Sequence, residues 1–280
     1  MLDLRYHAIS LAAVFLALVI GILVGVGISG RGFVDKSERR VLDNRIAQLE
    51  AQVEQESARS TQLGREQEVA QKFIESAYPA LMNERLRGRL IAVLVIGPTS
   101  TEAQKNVEAA LADADAQPGT RFRALNVPVS AAALTGSPGD VGRKLGEELV
   151  MGGKAPDWDQ LSSAVAEKRG VKGRPVDGVV VVRSARPQNG ETAELLRGIY
   201  AGVQAADVPA IGVDTSDSAL NAIAVFHRAG LSTVDDVDTR TGKLALALLL
   251  AGGTPGQYGA REPSPLPRIE PVAPAPRPGA

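Results

Sequence analysis

The densest group of carboxylates in the sequence is formed by Asp235, Asp236 and Asp238. Carboxylate oxygens are the ligands that hard cations prefer. The group also comes directly before a predicted helix that begins at Thr239, where acidic side chains cap free amides and favour the helix dipole. This position favours a structural role at the start of the helix, with a metal site as the alternative.

Residues for nucleophilic or copper chemistry are few. The chain has no cysteine, two histidines (His7 and His227) and three methionines far apart, whereas copper sites need Cys, Met or His in groups. Ser184 and Ser216 follow predicted strands, but a serine nucleophile needs a base, and no GxSxG motif is present. We predict no catalytic residue, no metal ligand and no cofactor, and therefore a protein that is not an enzyme.

A nucleotide site is equally weakly indicated. The turn over residues 97–101, GPTST, contains one glycine and matches neither GxGxxG nor GxxxxGK[ST]. A helix cap at Thr99, Ser100 or Thr101 explains these residues better. The net charge of -1 gives no indication of nucleic-acid binding.

The elements that position these residues alternate between strands and helices. Continuous apolar runs at 90–96, 176–182 and 209–213 predict buried parallel strands, and 121–127 predicts a more polar one. Helical patterns are predicted at 101–116, 140–151, 157–168, 192–206 and 239–251. This order predicts an α/β fold, Rossmann-like, with a mostly parallel sheet. Such sheets bind ligands at the carboxyl ends of their strands, here at Gly97, Ser184 and Ser216, so a small-molecule site there is a further hypothesis.

An apolar stretch at residues 9–28 contains no charge and would span roughly 30 Å as a helix, the thickness of a bilayer core. It predicts an uncleaved single-pass anchor; a cleaved signal peptide is the alternative. Small residues recur every fourth position, at Ala13, Ala17, Gly21, Gly25 and Ser29. This stripe predicts close packing with another membrane helix, and ordinary use of Gly and Ala in a membrane helix is the alternative. Counting basic flanking residues alone would place the rest of the chain in the cytoplasm.

A heptad pattern follows the anchor and predicts a coiled-coil stalk. Its apolar seam is polar at Glu56, Ser60 and Gln67, so self-pairing, docking on another protein's helix and a solvated spacer all stay open. The Tyr78-Pro79 pair is expected to end this helix, with a short helix at 80–87 after it. The large apolar residues of the seam are Leu42, Ile46, Leu49, Val53 and Leu63.

The predicted organisation has four parts: an anchor at 1–30, a stalk at 31–77, an α/β domain at 78–253 and a tail at 254–280. The tail has eight prolines in twenty-seven residues and is expected to be disordered or extended.

Four segments resemble the actinobacterial MctB family, whose corynebacterial relative is SteB. They are the N-terminal MLDLRYHAISLAAVFLALVIGILVGVGI, the coiled coil, the LIAVLVIGP strand and FHRAGLSTVDDVDTRTGKLALALLLAGG. The resemblance covers nearly all of residues 1–260. It implies a protein of the cytoplasmic membrane with its bulk outside the cytoplasm.

The resemblance implies two functions. SteB-type members act with a membrane partner, SteA, in cell separation, and their coiled coil is implicated in controlling a peptidoglycan hydrolase. The family's copper description implies a channel, yet a channel needs several spanning segments or a closed barrel. We therefore favour a scaffold, as a homo- or hetero-oligomer, that regulates a cell-wall hydrolase with a SteA-like partner; copper transport is the alternative.

Overall fold

The structure of the protein, a computed structural model, describes residues 4–28, 31–99, 101–217, 222–262, 264 and 266–270. The chain divides into two units, Met1–Ala70 and Gln71–Ala280. Predicted features at Ser29, Ser100, residues 219–221 and the end of the tail, 271–280, lie outside the described residues.

The first unit is helical. Helix α1 covers Leu4–Ile28, and helix α2 begins at Arg31 and ends at Met82, so its last turns belong to the second unit. Among the described residues, one helix is long and apolar enough to cross a membrane; this is α1, over Ile9–Gly27. The span matches the predicted anchor.

The predicted break at Tyr78-Pro79 is wrong, because α2 continues through Pro79 to Met82. Proline has no N–H, so at this position it removes one backbone bond near the end of the helix. Burial holds the last turns in place: Tyr78 and Met82 lie in the core of the second unit, and the Tyr78 hydroxyl donates to Asp113 Oδ2 at 2.7 Å.

The second unit contains a seven-stranded sheet in the order β3-β2-β1-β4-β5-β6-β7, in which β3 alone is antiparallel to its neighbour. The predicted α/β class with a mostly parallel sheet is confirmed. The strands are β1 (Ile91–Ile96), β2 (Arg121–Leu125), β3 (Val165–Arg169), β4 (Gly178–Arg183), β5 (Ala210–Val213), β6 (Ser232–Val234) and β7 (Gln257–Tyr258).

Helices cover both faces of this sheet. They are α3 (Thr101–Asp113), α4 (Pro138–Met151), α5 (Pro156–Gln160), α6 (Gly190–Ala205), α7 (Ile223–Arg228) and α8 (Arg240–Leu250). Side chains of α3, α8 and the end of α2 form one apolar cluster with the sheet, and those of α4, α6 and α7 form the other. The architecture is therefore a three-layer sandwich.

The helix predicted at 157–168 is wrong beyond its first turn. Helix α5 ends at Gln160, and β3 pairs antiparallel with β2 along the edge of the sheet. The Arg169 guanidinium lies 4.4 Å from the centre of the Phe122 ring. Without β3, the outer edge of β2 would expose unpaired backbone N–H and C=O groups to solvent. Pairing with β3 satisfies these groups, which a helix at this position could not do.

The predicted disordered tail from residue 254 is wrong in its first part. Strand β7 pairs with β6 through Thr233 and Val234, and Tyr258 is buried. Leu266 packs against the core cluster, and Arg85 Nη1 donates to the Glu270 carbonyl at 2.6 Å. A short strand thus forms between prolines of the tail. It lies at the edge of the sheet, where proline is tolerated.

Helices α4 and α6 touch through their backbones. Four glycines form this contact, two from each helix: Gly142 and Gly146 from α4, Gly198 and Gly202 from α6. A methyl group added to any of them would overlap with a carbonyl oxygen of the facing helix. Only glycine allows this approach, so these four positions set the distance between the two helices.

Substitution of Gly146 by Ala is expected to destabilise the protein by about 1–3 kcal/mol or more, because the added methyl overlaps with Ile199 O and Val203 N and forces the helices apart. Urea unfolding of the full chain in detergent, followed by the fluorescence of its single tryptophan, Trp158, measures the change. Gly139→Ala is the matched control on the same helix, since its added methyl meets nothing within 4 Å. Equal stability of the two variants would contradict the backbone contact.

Candidate functional site

The stalk seam is a set of exposed apolar residues on α2. Its five predicted residues all lie on the helix and are between 50% and 68% exposed. Large apolar side chains rarely stay this exposed in a row along one helix unless another surface covers them. These residues lie on one helix and are exposed, whereas their role as a coiled-coil seam stays a prediction. The residues are Leu42, Ile46, Leu49, Val53 and Leu63.

The small-residue stripe of the anchor also lies on a helix surface. Ala13, Ala17, Gly21 and Gly25 are exposed on α1, and a methyl group added at Gly21 or Gly25 would meet nothing within 4 Å. The stripe falls within the candidate span Ile9–Gly27. Its predicted role, close packing against another membrane helix, stays a prediction.

The carboxyl ends of the central strands hold the residues that were considered for ligand binding. Gly97 follows β1 with a φ of +71°, and a methyl group there would lie 2.8 Å from Val127 Cγ2. Ser184 follows β4, and its hydroxyl accepts the backbone N–H of Arg186 at 3.3 Å. Both residues therefore shape tight turns at this edge.

The remaining nucleophile candidate is tied to a carboxylate. Ser216 Oγ donates to Asp238 Oδ2 at 2.6 Å, and its backbone N–H donates to Asp238 Oδ1 at 2.7 Å. His227 Nε2 instead lies 3.0 Å from Thr233 Oγ1. The structure thus pairs His227 with a threonine of β6 and Ser216 with an aspartate, and these two candidates do not bind each other.

The aspartates after β6, Asp235, Asp236 and Asp238, form hydrogen bonds with neighbouring loops. Asp235 Oδ2 accepts the backbone N–H of Arg261 at 3.1 Å, and Thr239 caps α8 by accepting from Gly242 N at 2.9 Å. In the part of the chain that the structure describes, no group of three or more His, Cys, Asp or Glu could hold a metal ion. The aspartates thus make structural contacts near the start of α8, but the predicted capping of its amides comes from Thr239 and not from an acidic side chain.

Asp236 is buried without a full set of hydrogen bonds. It is 4% exposed, and within the described residues its Oδ1 has no hydrogen-bond partner, while Oδ2 accepts from Thr239 Oγ1 at 3.0 Å. Burial, with Asp235 and Asp238 nearby, raises the pKa of Asp236 to about 6. Removal from water disfavours the charged form of a carboxyl.

Two buried arginines of β2 were missed by sequence reasoning, which took the strand as merely more polar. Arg121 and Arg123 are 1% and 5% exposed, and they alternate with Phe122, so both face the layer of α4. Their signal in the sequence is the alternation R-F-R, because residues two apart on a strand share a face. Burial lowers the pKa of both arginines.

The comparison with protein families decides the membership of this chain. A family model described as "Copper transport outer membrane protein, MctB" matches residues 1–127 and 159–264. The chain belongs to the MctB family. Membership supports a membrane-associated envelope protein connected with copper transport. A search of curated proteins found no match.

The MctB match includes both helices of the first unit and all seven strands of the sheet. It omits residues 128–158, which contain α4 and its two contact glycines. The resemblance seen in the N-terminal and 226–253 motifs is thereby confirmed.

Asp236→Asn is expected to stabilise the protein near pH 7.5 and to change its stability little near pH 4. The pKa is raised above the unfolded value of 3.8, so the stability from this carboxyl is present when it is protonated and is lost as pH rises towards about 6. Urea unfolding of both proteins across this range tests the prediction. Glu102→Gln, on the exposed start of α3, is the control. A stability difference that does not vary with pH would contradict it.

Proposed function

We propose that this chain is a non-enzymatic, single-pass envelope protein that takes part in copper transport as an assembly, with the stalk seam as its assembly surface. The family description supplies the copper connection. The observation that carries the assembly is the row of exposed apolar side chains at Leu42, Ile46, Leu49, Val53 and Leu63. We further propose that the anchor lies in the cytoplasmic membrane and that the second unit lies outside the cytoplasm.

The seam has a clear physical reason to be covered. Full burial of one large aliphatic side chain contributes about 1.5–3 kcal/mol relative to its exposed state. In a coiled coil, the a and d side chains of one helix pack into holes formed by four residues of the facing helix. Ile46 and Val53 at a and Leu42, Leu49 and Leu63 at d supply such side chains, and the β-branched a residues with leucine at d favour two strands.

Assembly through the stalk would also bring several membrane anchors together. The anchor is a single helix, so a copper pathway lined by α1 would need several copies of it side by side. The stripe of Ala13, Ala17, Gly21 and Gly25 would allow such helices to approach closely. In this proposal, copper ions are the cargo and the protein provides the assembled membrane segment and its tether.

A second candidate function rests on the polar part of the same seam. Glu56, Ser60 and Gln67 interrupt the apolar row, and polar core positions select particular partners at a cost in stability. A helix of a cell-wall hydrolase could pair there, with a SteA-like membrane protein as partner. The chain would then act as a scaffold that regulates peptidoglycan cleavage during cell separation.

Charged residues in the seam are expected to abolish the function of the full chain. In a strain that lacks the gene, complementation with Ile46→Glu/Val53→Glu should leave cellular copper content at the level of the deletion strain. The reason is that facing glutamates in a coiled-coil core are desolvated and repel one another. Disulfide crosslinking in native membranes, through one cysteine introduced at Gln52 of the otherwise cysteine-free chain, should show the loss of self-association. Copper content per cell should report transport.

Ala51→Glu/Ala58→Glu is the matched control, because both alanines lie at the heptad position farthest from the seam and the charge change is the same. This variant should crosslink and complement like the wild type. Unchanged crosslinking in the Ile46/Val53 variant would refute assembly through the seam. If cells with the seam variant kept the copper content of the wild type but daughter cells stayed attached, the hydrolase scaffold would replace copper transport as the proposed function.

A further inference from the structure

A basic cavity of about 570 Å³ opens beside the amino end of β2. It is separate from the stalk seam and from the carboxyl ends of the parallel strands. Two acidic side chains, Glu148 and Asp159, line it together with five basic ones. The lining therefore has a formal net charge of +3 in a chain whose total is -1. The basic residues are Arg121, Arg123, Lys154, Lys168 and Lys172.

Part of this charge already serves the fold. The Arg121 guanidinium donates to the carbonyls of Leu149 and Val150, at 2.5 and 3.0 Å, and so caps the end of α4. Lys168 forms an ion pair with Asp159. These contacts account for two of the basic side chains and one of the acidic ones.

The second acidic residue is also engaged. Glu148 accepts the backbone N–H groups of Asp157 and Trp158, at 3.1 and 3.2 Å, and thereby holds the first turn of α5 against the end of α4. Its carboxylate is directed to backbone donors. The unbalanced positive charge of the cavity is consequently carried by Arg123, Lys154 and Lys172.

Arg123 is the feature that points to a ligand. It is 5% exposed, and its Nη1 donates to the carbonyls of Phe122 and Arg169 at 2.7 and 3.1 Å. Within the described residues its Nε–H has no acceptor. A buried guanidinium donor without an acceptor is unfavourable, and an anionic oxygen in the cavity would satisfy it. Lys154 and Lys172 are exposed at the same cavity, where they can reach a bound anion.

We propose that this cavity binds the phosphate group of a small phosphorylated molecule. A phosphate dianion matches an unbalanced charge of this size, and arginine and lysine are its usual protein donors. The volume lies in the range of small-molecule sites, larger than phosphate alone requires. Arg123 and Lys172 lie within the family match, whereas Lys154 and Glu148 lie outside it, so the proposal concerns the complete site in this chain.

The single tryptophan provides a local reporter. Trp158 is buried, its backbone N–H donates to Glu148, and its indole donates to the Leu145 carbonyl at 2.9 Å. Titration of the full chain in detergent with inorganic phosphate and with glycerol 3-phosphate should change Trp158 fluorescence and give saturable heat for one site per chain. Chloride at equal ionic strength sets the baseline, because screening alone weakens charge contacts.

Lys154→Ala/Lys172→Ala should weaken phosphate binding about tenfold, the size expected for two solvent-exposed charge contacts. Lys105→Ala/Lys144→Ala removes the same charge from exposed helix positions outside the cavity lining and should bind as the wild type does. Arg123→Lys, which keeps the charge but loses the Nε donor, should weaken binding further. Urea unfolding checks that each variant is folded.

No saturable binding of either probe by the wild type would overturn the proposal, and so would equal weakening by the two lysine pairs. A soluble short-chain phosphatidate distinguishes the source of the phosphate. Affinity equal to that of glycerol 3-phosphate supports a soluble ligand, whereas at least tenfold tighter binding that is lost in Lys154→Ala/Lys172→Ala identifies a lipid headgroup at the same site. None of these outcomes depends on the stalk seam.

Discussion

The second unit is built around two strands that must be hidden from water on both faces. Every residue of β1 and β4 is buried, from Ile91–Ile96 and from Gly178–Arg183. An apolar strand in the middle of a parallel sheet has no solvent face, so helices have to cover it on each side. The end of α2, α3 and α8 do this on one side, and α4 with α6 on the other. The remaining elements extend or close these layers.

The basic cavity forms where α4 packs on the sheet. Glycines let α4 lie against the backbone of α6, and the end of α4 then meets β2 at Arg121. Arg121 binds carbonyls at that helix end that have no partner within the helix and carry the negative end of the helix dipole. Arg123 and the start of α5 line the same cavity, and within the described residues the Arg123 Nε–H has no acceptor. Packing of the core and charge in the cavity are thus parts of one arrangement.

Sequence patterns predicted the elements that depend on local composition. The apolar runs of β1, β4 and β5, the helix after Thr239 and the long helix α2 all appear where the sequence predicted them. Elements set by distant partners were missed: β3 forms by pairing with β2, and β7 by pairing with β6. The cavity was missed for the same reason, because the burial of Arg123 depends on helices far along the chain.

The α4–α6 contact also constrains how related sequences can differ. The matched family region supplies the sheet and the glycines Gly198 and Gly202 of α6, whereas Gly142 and Gly146 come from the unmatched segment. A relative that replaces this segment by a helix with larger side chains must also move or reshape α6. Substitutions in the two helices should therefore occur together during divergence, although only α6 lies within the family match.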